Sequence, residues 1–493
     1  MNIYTILFIA VYITNIIPLV SLLFIEKKDV TVTLSWLMVL LFLPWIGFIL
    51  YFFIGSTYKL KLFSKKCSLE NIEKGYKEIL QENIKDIENE AIVFNSIQMK
   101  LYNDIVELNA KSAESIYTQD NSAILLTDAK DQYEYMFEEI EKATESINVL
   151  YFIIKGKDEI GKKFISLLSK KAQEGVEIRL IYDILGYYKT SKKDFRELIR
   201  AGGMVYSFLP SKFKTILNAN YRMHRKILVI DGVIAYTGGI NIGDDYLGLD
   251  PVLRPWRDTA VRLVGSCVQV IQFCFLSDWA YLDKQVGENK KYKKVDDLYH
   301  MLMYFKKPSN YGNVGVQILA SGPNTEYTLI KDSYVKMIYS AKNYLYIQTP
   351  YFIPDETLKN ALRIAAHSGV DVRIMIPGIP DKQFVYDVTL SYIEELLKNG
   401  IRVYKHIGFI HSKTFVLDDF IASIGTANFD IRSFNLNYEI NTMLYSETFA
   451  KECKSVFIKD IADCTELTLE DYKKRNLLQK IKECFWRLFT PIA

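Results

Sequence analysis

Residues 221–241 read YRMHRKILVIDGVIAYTGGIN, and residues 408–428 read GFIHSKTFVLDDFIASIGTAN. Each stretch places a lysine two residues after a histidine, an aspartate five further on, a glycine seven after that and an asparagine three after that. The chain has 5 histidines in all, and two of them, His224 and His411, stand in identical frames. In the first stretch a near-continuous apolar run ends at Asp231-Gly232, a strong hairpin-turn signal, and the run VIAYTGG follows as a returning strand. Residues two apart share a face of a strand, so His224 and Lys226 point the same way, as do His411 and Lys413. A neutral imidazole beside an ammonium can attack a phosphorus whose oxygens the ammonium neutralises. Two such faces brought together supply a nucleophile, a general acid for the leaving alcohol and two lysines around one phosphate. Gly239 and Asn241, with Thr426 and Asn428, lie where the returning strands end, placed to offer donors to the phosphate oxygens. Histidine's ordinary pKa near 6.5 allows one copy to be neutral and the other protonated, provided their carboxylate neighbours differ.

One His-x-Lys on a strand is usually an edge or core feature; its repetition in register argues for chemistry. Asp231 is more ambiguous, because Asp-Gly is itself a turn former. Asp418, however, is followed by Asp419, so the aspartate persists where the glycine does not. His300, His367 and His406 have no comparable context and read as surface or packing residues. No cluster of carboxylates and histidines has ligand spacing, the 6 cysteines contain no C-x-x-C pair, and neither a metal nor another cofactor is implied.

The elements that must carry these residues are also written twice. INVLYFIIKGKDEIGKKFISLLSKKAQEGVEIRLIYD (147–183) reads as strand, amphipathic helix, strand, and NYLYIQTPYFIPDETLKNALRIAAHSGVDVRIMIPG (343–378) reads the same way. FRELIRAGGMVYSF (195–208) is echoed by YIEELLKNGIRVYKH (392–406). The expectation is an α/β chain with a duplicated domain, 119–285 and 313–465, each a mostly parallel or mixed sheet flanked by helices. A helical connection over 67–118 precedes the first unit, and a charged linker over 286–312 separates the two.

The remaining segments point to a membrane. Within 1–66, two uncharged runs, about 3–25 and 32–54, approach the length of a membrane-crossing helix. Lys59, Lys61, Lys65 and Lys66 follow the second run, which predicts a two-helix hairpin with the large C-terminal part on the cytoplasmic side of a cell membrane. Residues 466–493 predict a basic amphipathic helix. Leu477, Leu478, Ile481, Phe485, Leu488 and Phe489 share one face, with Lys473, Lys474, Arg475, Lys480 and Arg487 at its start and opposite side, a pattern suited to anionic membrane lipids. The net charge of +3 over 493 residues argues against a general nucleic-acid binder.

H-x-K-x4-D-x6-G-x2-N, present twice, resembles the phospholipase D superfamily. With RPWRDTAVRLVG after the first motif, IQTPYFIPDE opening the second half and DIRSFNLNYEIN after the second motif, the order is similar to that of bacterial cardiolipin synthases. The resemblance covers nearly the whole chain. It implies phosphatidyl transfer between two phosphatidylglycerol molecules through a phosphohistidine, with one motif histidine as nucleophile, usually the N-terminal one, and the other as acid. By position these are His224 and His411. Lys226 and Lys413 would bind phosphate, and Asp231 and Asp418 would each orient the histidine of the opposite motif. Gly239 and Thr426 depart from the family by standing where much of it has serine. A membrane-bound phosphodiesterase that lets water finish the reaction, a transferase using another alcohol, and a non-catalytic lipid-binding scaffold are the alternative readings.

Overall fold

The computed structural model describes residues 2, 13, 15, 16, 18–26, 30–51, 55, 70–187, 190–208, 220–286, 311–325, 327–488 and 490. The first predicted apolar helix, the lysines after the second and most of the 286–312 linker lie partly or wholly outside them, as do His300 and Phe489. The second apolar run forms two short helices, α1 (Val30–Phe42) and α2 (Pro44–Leu50), in place of one span. Leu43 between them leaves helical geometry, with φ −126° and ψ 60°. Pro44 has no amide hydrogen and disfavours a helical residue before it. The chain turns sharply enough there for Trp36 and Tyr51 to meet with ring centroids 5.3 Å apart. Gly47 permits the turn, since a Cβ on it would lie 2.6 Å from the Val39 carbonyl oxygen. No helix among the described residues is long and apolar enough to cross a membrane. Helices α3 (Glu70–Glu88) and α4 (Asn103–Ser112) then lead to the main body.

The duplicated body is built from two sets of seven strands. The first set is β1 (Thr118–Leu126), β2 (Ser146–Tyr151), β3 (Glu177–Asp183), β4 (Met204–Phe208), β5 (Lys226–Ile230), β6 (Ile234–Gly238) and β7 (Ala260–Val264). The second is β8 (Val314–Ser321), β9 (Tyr344–Gln348), β10 (Asp371–Ile376), β11 (Arg402–His406), β12 (Thr414–Leu417), β13 (Ile421–Gly425) and β14 (Asn437–Tyr445), with β15 (Cys464–Leu467) added at the outer edge. The order is β4-β3-β2-β5-β6-β7-β1 in one half and β11-β10-β9-β12-β13-β14-β8 in the other, the same path twice. The two halves do not form separate sheets. β1 pairs antiparallel with β8, joining both into one 16-stranded sheet. In this sheet β2-β3-β4 and β9-β10-β11 pair in parallel, as does the short sixteenth strand Arg222–Met223 with β14; the motif hairpins and their neighbours are antiparallel, so each half is mixed and less parallel than its strand-helix-strand pattern suggested.

Burial on both faces explains the near-continuous apolar strands. One face of each half is covered locally, by α5 (Ala129–Lys142) and α6 (Glu159–Gln173) in the first and by α8 (Leu329–Ser340), α9 (Glu356–His367) and α10 (Gln383–Lys398) in the second. Between α6 and α8 in the chain lies α7 (Cys267–Val286), which shares the opposite face with α11 (Glu447–Asp460). Phe275 and Trp279 of α7 and Phe449 and Phe457 of α11 enter one core with Ile227 and Val229 of the first half and Ile424 and Ile440 of the second. Each such large side chain contributes about 1.5–3 kcal/mol by burial, and here that energy holds the halves together.

The motif aspartates sit at the hairpin turns. Asp231 and Gly232 have φ of 51° and 65°, Asp418 and Asp419 of 48° and 61°, the positive-φ pair that a tight hairpin requires. The Asp231 carboxylate accepts from the backbone N–H groups of Thr144, Glu145 and Ser146, at 2.9, 2.8 and 2.9 Å. Asp418 does the same for Lys342, Asn343 and Tyr344, at 2.6, 2.8 and 2.8 Å, and also receives the Tyr102 hydroxyl. Both therefore clamp the starts of β2 and β9. Seven residues of extended chain separate each from its own motif histidine, roughly 20 Å, and neither carboxylate bonds a motif histidine. Asp418→Ala should lower unfolding free energy by about 3 kcal/mol or more, the scale of losing charge-assisted hydrogen bonds to buried amides, while the folded fraction turns over within about threefold of wild type. Urea titration with parallel activity measurement checks this; normal stability with abolished turnover would return Asp418 to the chemistry.

Candidate active site

Both motif histidines stand just ahead of a strand, at the end opposite the clamped turn. His224 precedes β5 and His411 precedes β12. The Lys226 ammonium donates to the His224 carbonyl oxygen at 2.8 Å, and Lys413 donates likewise to the His411 carbonyl oxygen. Each lysine thus curls back toward its own histidine. The two motifs meet: Lys413 acts electrostatically on His224, Lys226 on His411, and the two lysines on each other. His224 is 9% exposed, Lys226 1% and Lys413 2%, so the site is largely dry.

The groups that orient the histidines lie outside the motifs. His224 Nδ1 is 2.9 and 3.0 Å from the Glu439 carboxylate oxygens, and His411 Nδ1 is 2.7 Å from Asp258 Oδ2. Glu439 belongs to the second half and Asp258 to the first, so each imidazole is held by the opposite half. The two acids occupy equivalent places in the repeat: Gly238 pairs with Ala260 and Gly425 with Asn441, and each acid lies two residues before that partner. With Nδ1–H donated to a carboxylate, Nε2 of each ring is the nitrogen that carries the lone pair. Phe152 packs edge-on against His224 at 4.8 Å, and Trp256 and Phe409 flank His411 at 5.5 and 5.7 Å.

The family departure at Gly239 has a steric cause. A Cβ at Gly239 would fall 2.0 Å from Asp258 Oδ1, so the shorter acid fills the space a side chain would take. In the other half the Thr426 hydroxyl donates to Glu439 Oε2 at 2.5 Å. The remaining residues expected to bind phosphate are mostly committed elsewhere. The Gly239 and Thr426 amides donate to the carbonyls of Thr259 and Ile440. Asn241 accepts from Ile153 N–H and donates to the Tyr246 hydroxyl, bracing the loop beside His411. Asn428 is 6% exposed and keeps Oδ1 without a partner among the described residues. Of the other histidines, His406 is buried and accepts from the Gly408 amide, and His367 ends α9.

Burial in a cluster of cations sets the protonation states. His224 is driven well below its ordinary range by burial and then by Lys226, Lys413 and Lys382. Burial and Lys413 push His411 down to about 4. Burial raises Glu439 to about 7, whereas for Asp258 burial is outweighed by His411, Lys413 and the Thr259 amide, which hold it below the usual carboxylate range. Burial, with Lys413 adding repulsion, takes Lys226 down to about 7, and burial takes Lys413 down to about 8. The site thus holds neutral imidazoles beside ammonium groups that relinquish protons easily. A bound phosphodiester would favour the ammonium forms and protonation of the histidine nearest the leaving oxygen.

Comparison with known proteins agrees with this architecture. The family profile described as "Cardiolipin synthase, PLD-like domain" matches residues 136–250 and 334–461, once in each half, and one described as "Phospholipase_D-nuclease N-terminal" matches 13–56. The chain is 43% identical to the major cardiolipin synthase ClsA of Bacillus subtilis (strain 168), with 100% of both chains covered. It is 40% identical to a cardiolipin synthase of Oceanobacillus iheyensis, covering 98% of each. Against one of Staphylococcus aureus (strain N315) it is also 40% identical, covering 99% of this chain and 96% of that one. Among solved structures, phosphatidylserine synthase of Haemophilus influenzae shares the fold with TM-score 0.59 at 16% identity, over 77% of this chain and 97% of that one.

The lysine environment predicts an unusual alkaline limit. A lysine whose pKa is lowered loses its charge as pH rises through the lowered value, so kcat/KM for phosphodiester cleavage should begin to fall near about pH 7, where Lys226 loses its proton, and fall further above about pH 8 as Lys413 follows, well short of the ordinary lysine range near 10.4. Bound phosphate stabilises the ammonium, so the corresponding limb in kcat should lie at higher pH. Profiles at constant ionic strength test this; kcat/KM flat to pH 10 would contradict it.

Proposed function

The chain belongs to the cardiolipin synthase family of PLD-like proteins, and from that premise we propose that it makes cardiolipin by transferring a phosphatidyl group from one phosphatidylglycerol to another, releasing glycerol. The observation that carries this reading is the pair of crossed imidazole–carboxylate contacts. They bring two Nε2 lone pairs and two ammonium groups to one buried place, in a chain alignable from end to end with named cardiolipin synthases.

His224 is the nucleophile in this account. Its Nε2 attacks phosphorus, the bond from phosphorus to the headgroup oxygen breaks, and His411 gives its proton to the departing glycerol. Neutral His411 then takes the proton of the acceptor's terminal hydroxyl, whose oxygen attacks phosphorus and displaces the His224 nitrogen. Lys226 and Lys413 balance the oxyanion charge in both steps. Lys382, exposed and close enough to depress His224, is a further cation near the site. One diester is exchanged for another, so the energy of the broken bond passes through the phosphoramidate and no nucleotide is required. A lipid acceptor must outcompete water, and the burial of the reacting groups favours that.

A membrane-associated enzyme fits the exposed apolar surfaces. Phe24, Val30 and Phe42 are 73%, 71% and 73% exposed. The C-terminal helix α12 (Leu477–Arg487) packs on α10 through its polar side: Glu483 is buried against Arg475, and Lys482 bonds Asp387 at 2.8 Å. Arg475 and Arg487 face inward, the latter over the Tyr392 ring at 4.3 Å. The face carrying Leu477, Leu478, Ile481, Phe485 and Leu488 is left outward. Polar-in and apolar-out is the arrangement of a helix that meets lipid. The Phe384–Trp486 contact at 5.9 Å fixes it beside the loop carrying Lys382.

Purified full-length protein in vesicles of phosphatidylglycerol alone should form cardiolipin and glycerol in equal amounts, with no nucleotide added. Phosphatidate as the main product would identify a hydrolase and overturn the transferase reading.

A further inference from the structure

Cardiolipin synthesis as proposed above leaves one charge without a place. The acceptor lipid brings its own phosphodiester, which does not react but must enter beside the reacting one. The product holds the two phosphorus atoms across a glycerol bridge of six bonds, each about 1.5 Å, so they lie at most roughly 8 Å apart. A second anion site must therefore lie within that distance of the phosphorus at His224.

Two arginines outside both motifs are brought to the side of the chain that leads into His224, Arg222 by its strand and Arg432 by its bonds to Asn220. Arg222 lies two residues before His224, and Arg222–Met223 forms a short strand parallel to β14 with Arg222 opposite Asn437 and Met223 opposite Tyr438. The ladder continues with His224 N–H donating to the Tyr438 carbonyl at 3.0 Å. Arg222 and His224 thus share a face, about 7 Å apart along the strand, as Asn437 and Glu439 do on the neighbouring strand. Arg432, from the short helix after the second motif, approaches the same place. Its guanidinium donates to Asn220 Oδ1 at 2.8 Å and to the Asn220 carbonyl at 2.6 Å, and it is close enough to Arg222 for the two cations to repel.

Neither arginine forms an ion pair among the described residues. The acids nearest them are occupied: Asp183 accepts from the amides of Met223 and Leu185, and Asp430 from that of Ser433. Among the described residues Arg222 itself bonds only the Tyr221 carbonyl, at 3.4 Å. Two partly buried guanidiniums left facing each other are costly unless an anion joins them, and phosphate suits the guanidinium fork. Between this pair and His224 lies Asn437, 6% exposed, whose amide donates to Glu439 at 3.0 Å and whose Oδ1 has no partner among the described residues. It is an acceptor of the right type for the secondary hydroxyl of a glycerol headgroup.

We propose that Arg222 and Arg432 form a second phosphate subsite, which holds the non-reacting phosphodiester of the acceptor phosphatidylglycerol while Asn437 accepts from its secondary hydroxyl. The subsite selects the acceptor: a lipid alcohol bearing a phosphate is held in place, whereas water and simple alcohols gain nothing from it. This rests on the transferase reading and is tested apart from it by competition. Full-length protein is given phosphatidylglycerol vesicles with ethanol in the buffer, and cardiolipin is measured against the sum of phosphatidylethanol and phosphatidate. Arg222→Gln and Arg432→Gln should each lower that ratio at least tenfold, with Arg432→Lys recovering part of it. The ratio is internal to each sample, so a loss of folded protein does not move it. A ratio within twofold of wild type, or parallel loss of all products, overturns the subsite. Wild-type protein that makes phosphatidylethanol or phosphatidate but no cardiolipin would instead overturn the reading that it transfers between two phosphatidylglycerol molecules.

Discussion

Each motif histidine is held by a carboxylate of the other half, His224 by Glu439 and His411 by Asp258, and the rest of the structure can be read as what keeps those two contacts in place. Neither half contains a correctly oriented imidazole alone. The β1–β8 pairing and the core shared by α7 and α11 fix the halves as one body, and the hairpins Lys226–Gly238 and Thr414–Gly425 deliver the histidines to the seam. The aspartate clamps at the far turns set the register of those hairpins. A one-residue slip would turn every side chain to the other face.

Burial of so many ionisable groups is unfavourable by itself, and here two lysines face two carboxylates around two neutral imidazoles, with Glu439 raised to about 7 and Lys226 lowered to about 7. A substrate phosphodiester adds negative charge that favours the ammonium forms. On the proposed mechanism, the same dryness that depresses the lysines would keep water from the reacting phosphorus, giving affinity for phosphate and preference for transfer one physical origin.

The repeat, the two His-x-Lys faces and the hairpins were legible because identical frames and a period of two leave little else for them to be. Asp231 and Asp418 were harder: a turn aspartate and a catalytic aspartate look alike in sequence, and only the amides of 144–146 and 342–344 tell them apart. Asp258 and Glu439 stood in the quoted stretches RPWRDTAVRLVG and DIRSFNLNYEIN. They differ in length, and each serves the opposite half, so comparing the repeats did not single them out. The acid two residues before the strand partner of each motif glycine was the available signal. The single sheet was invisible because β1 and β8 pair across almost two hundred residues. In the N-terminal region hydropathy gave the length of the apolar run over 32–54 but not the reversal at Leu43, where Pro44 removes a donor and Gly47 admits the returning backbone.

The central claim is that two motifs make one site with divided roles. The direct measurement is a single-turnover reaction with lipid labelled in its phosphate, quenched in base, which preserves phosphohistidine, and followed by peptide mapping. The account predicts no more than one labelled phosphate per chain, all of it on His224, and none in a Glu439→Ala variant that removes the carboxylate holding that ring. Label on both histidines of one chain, or label on His411 alone, would contradict it.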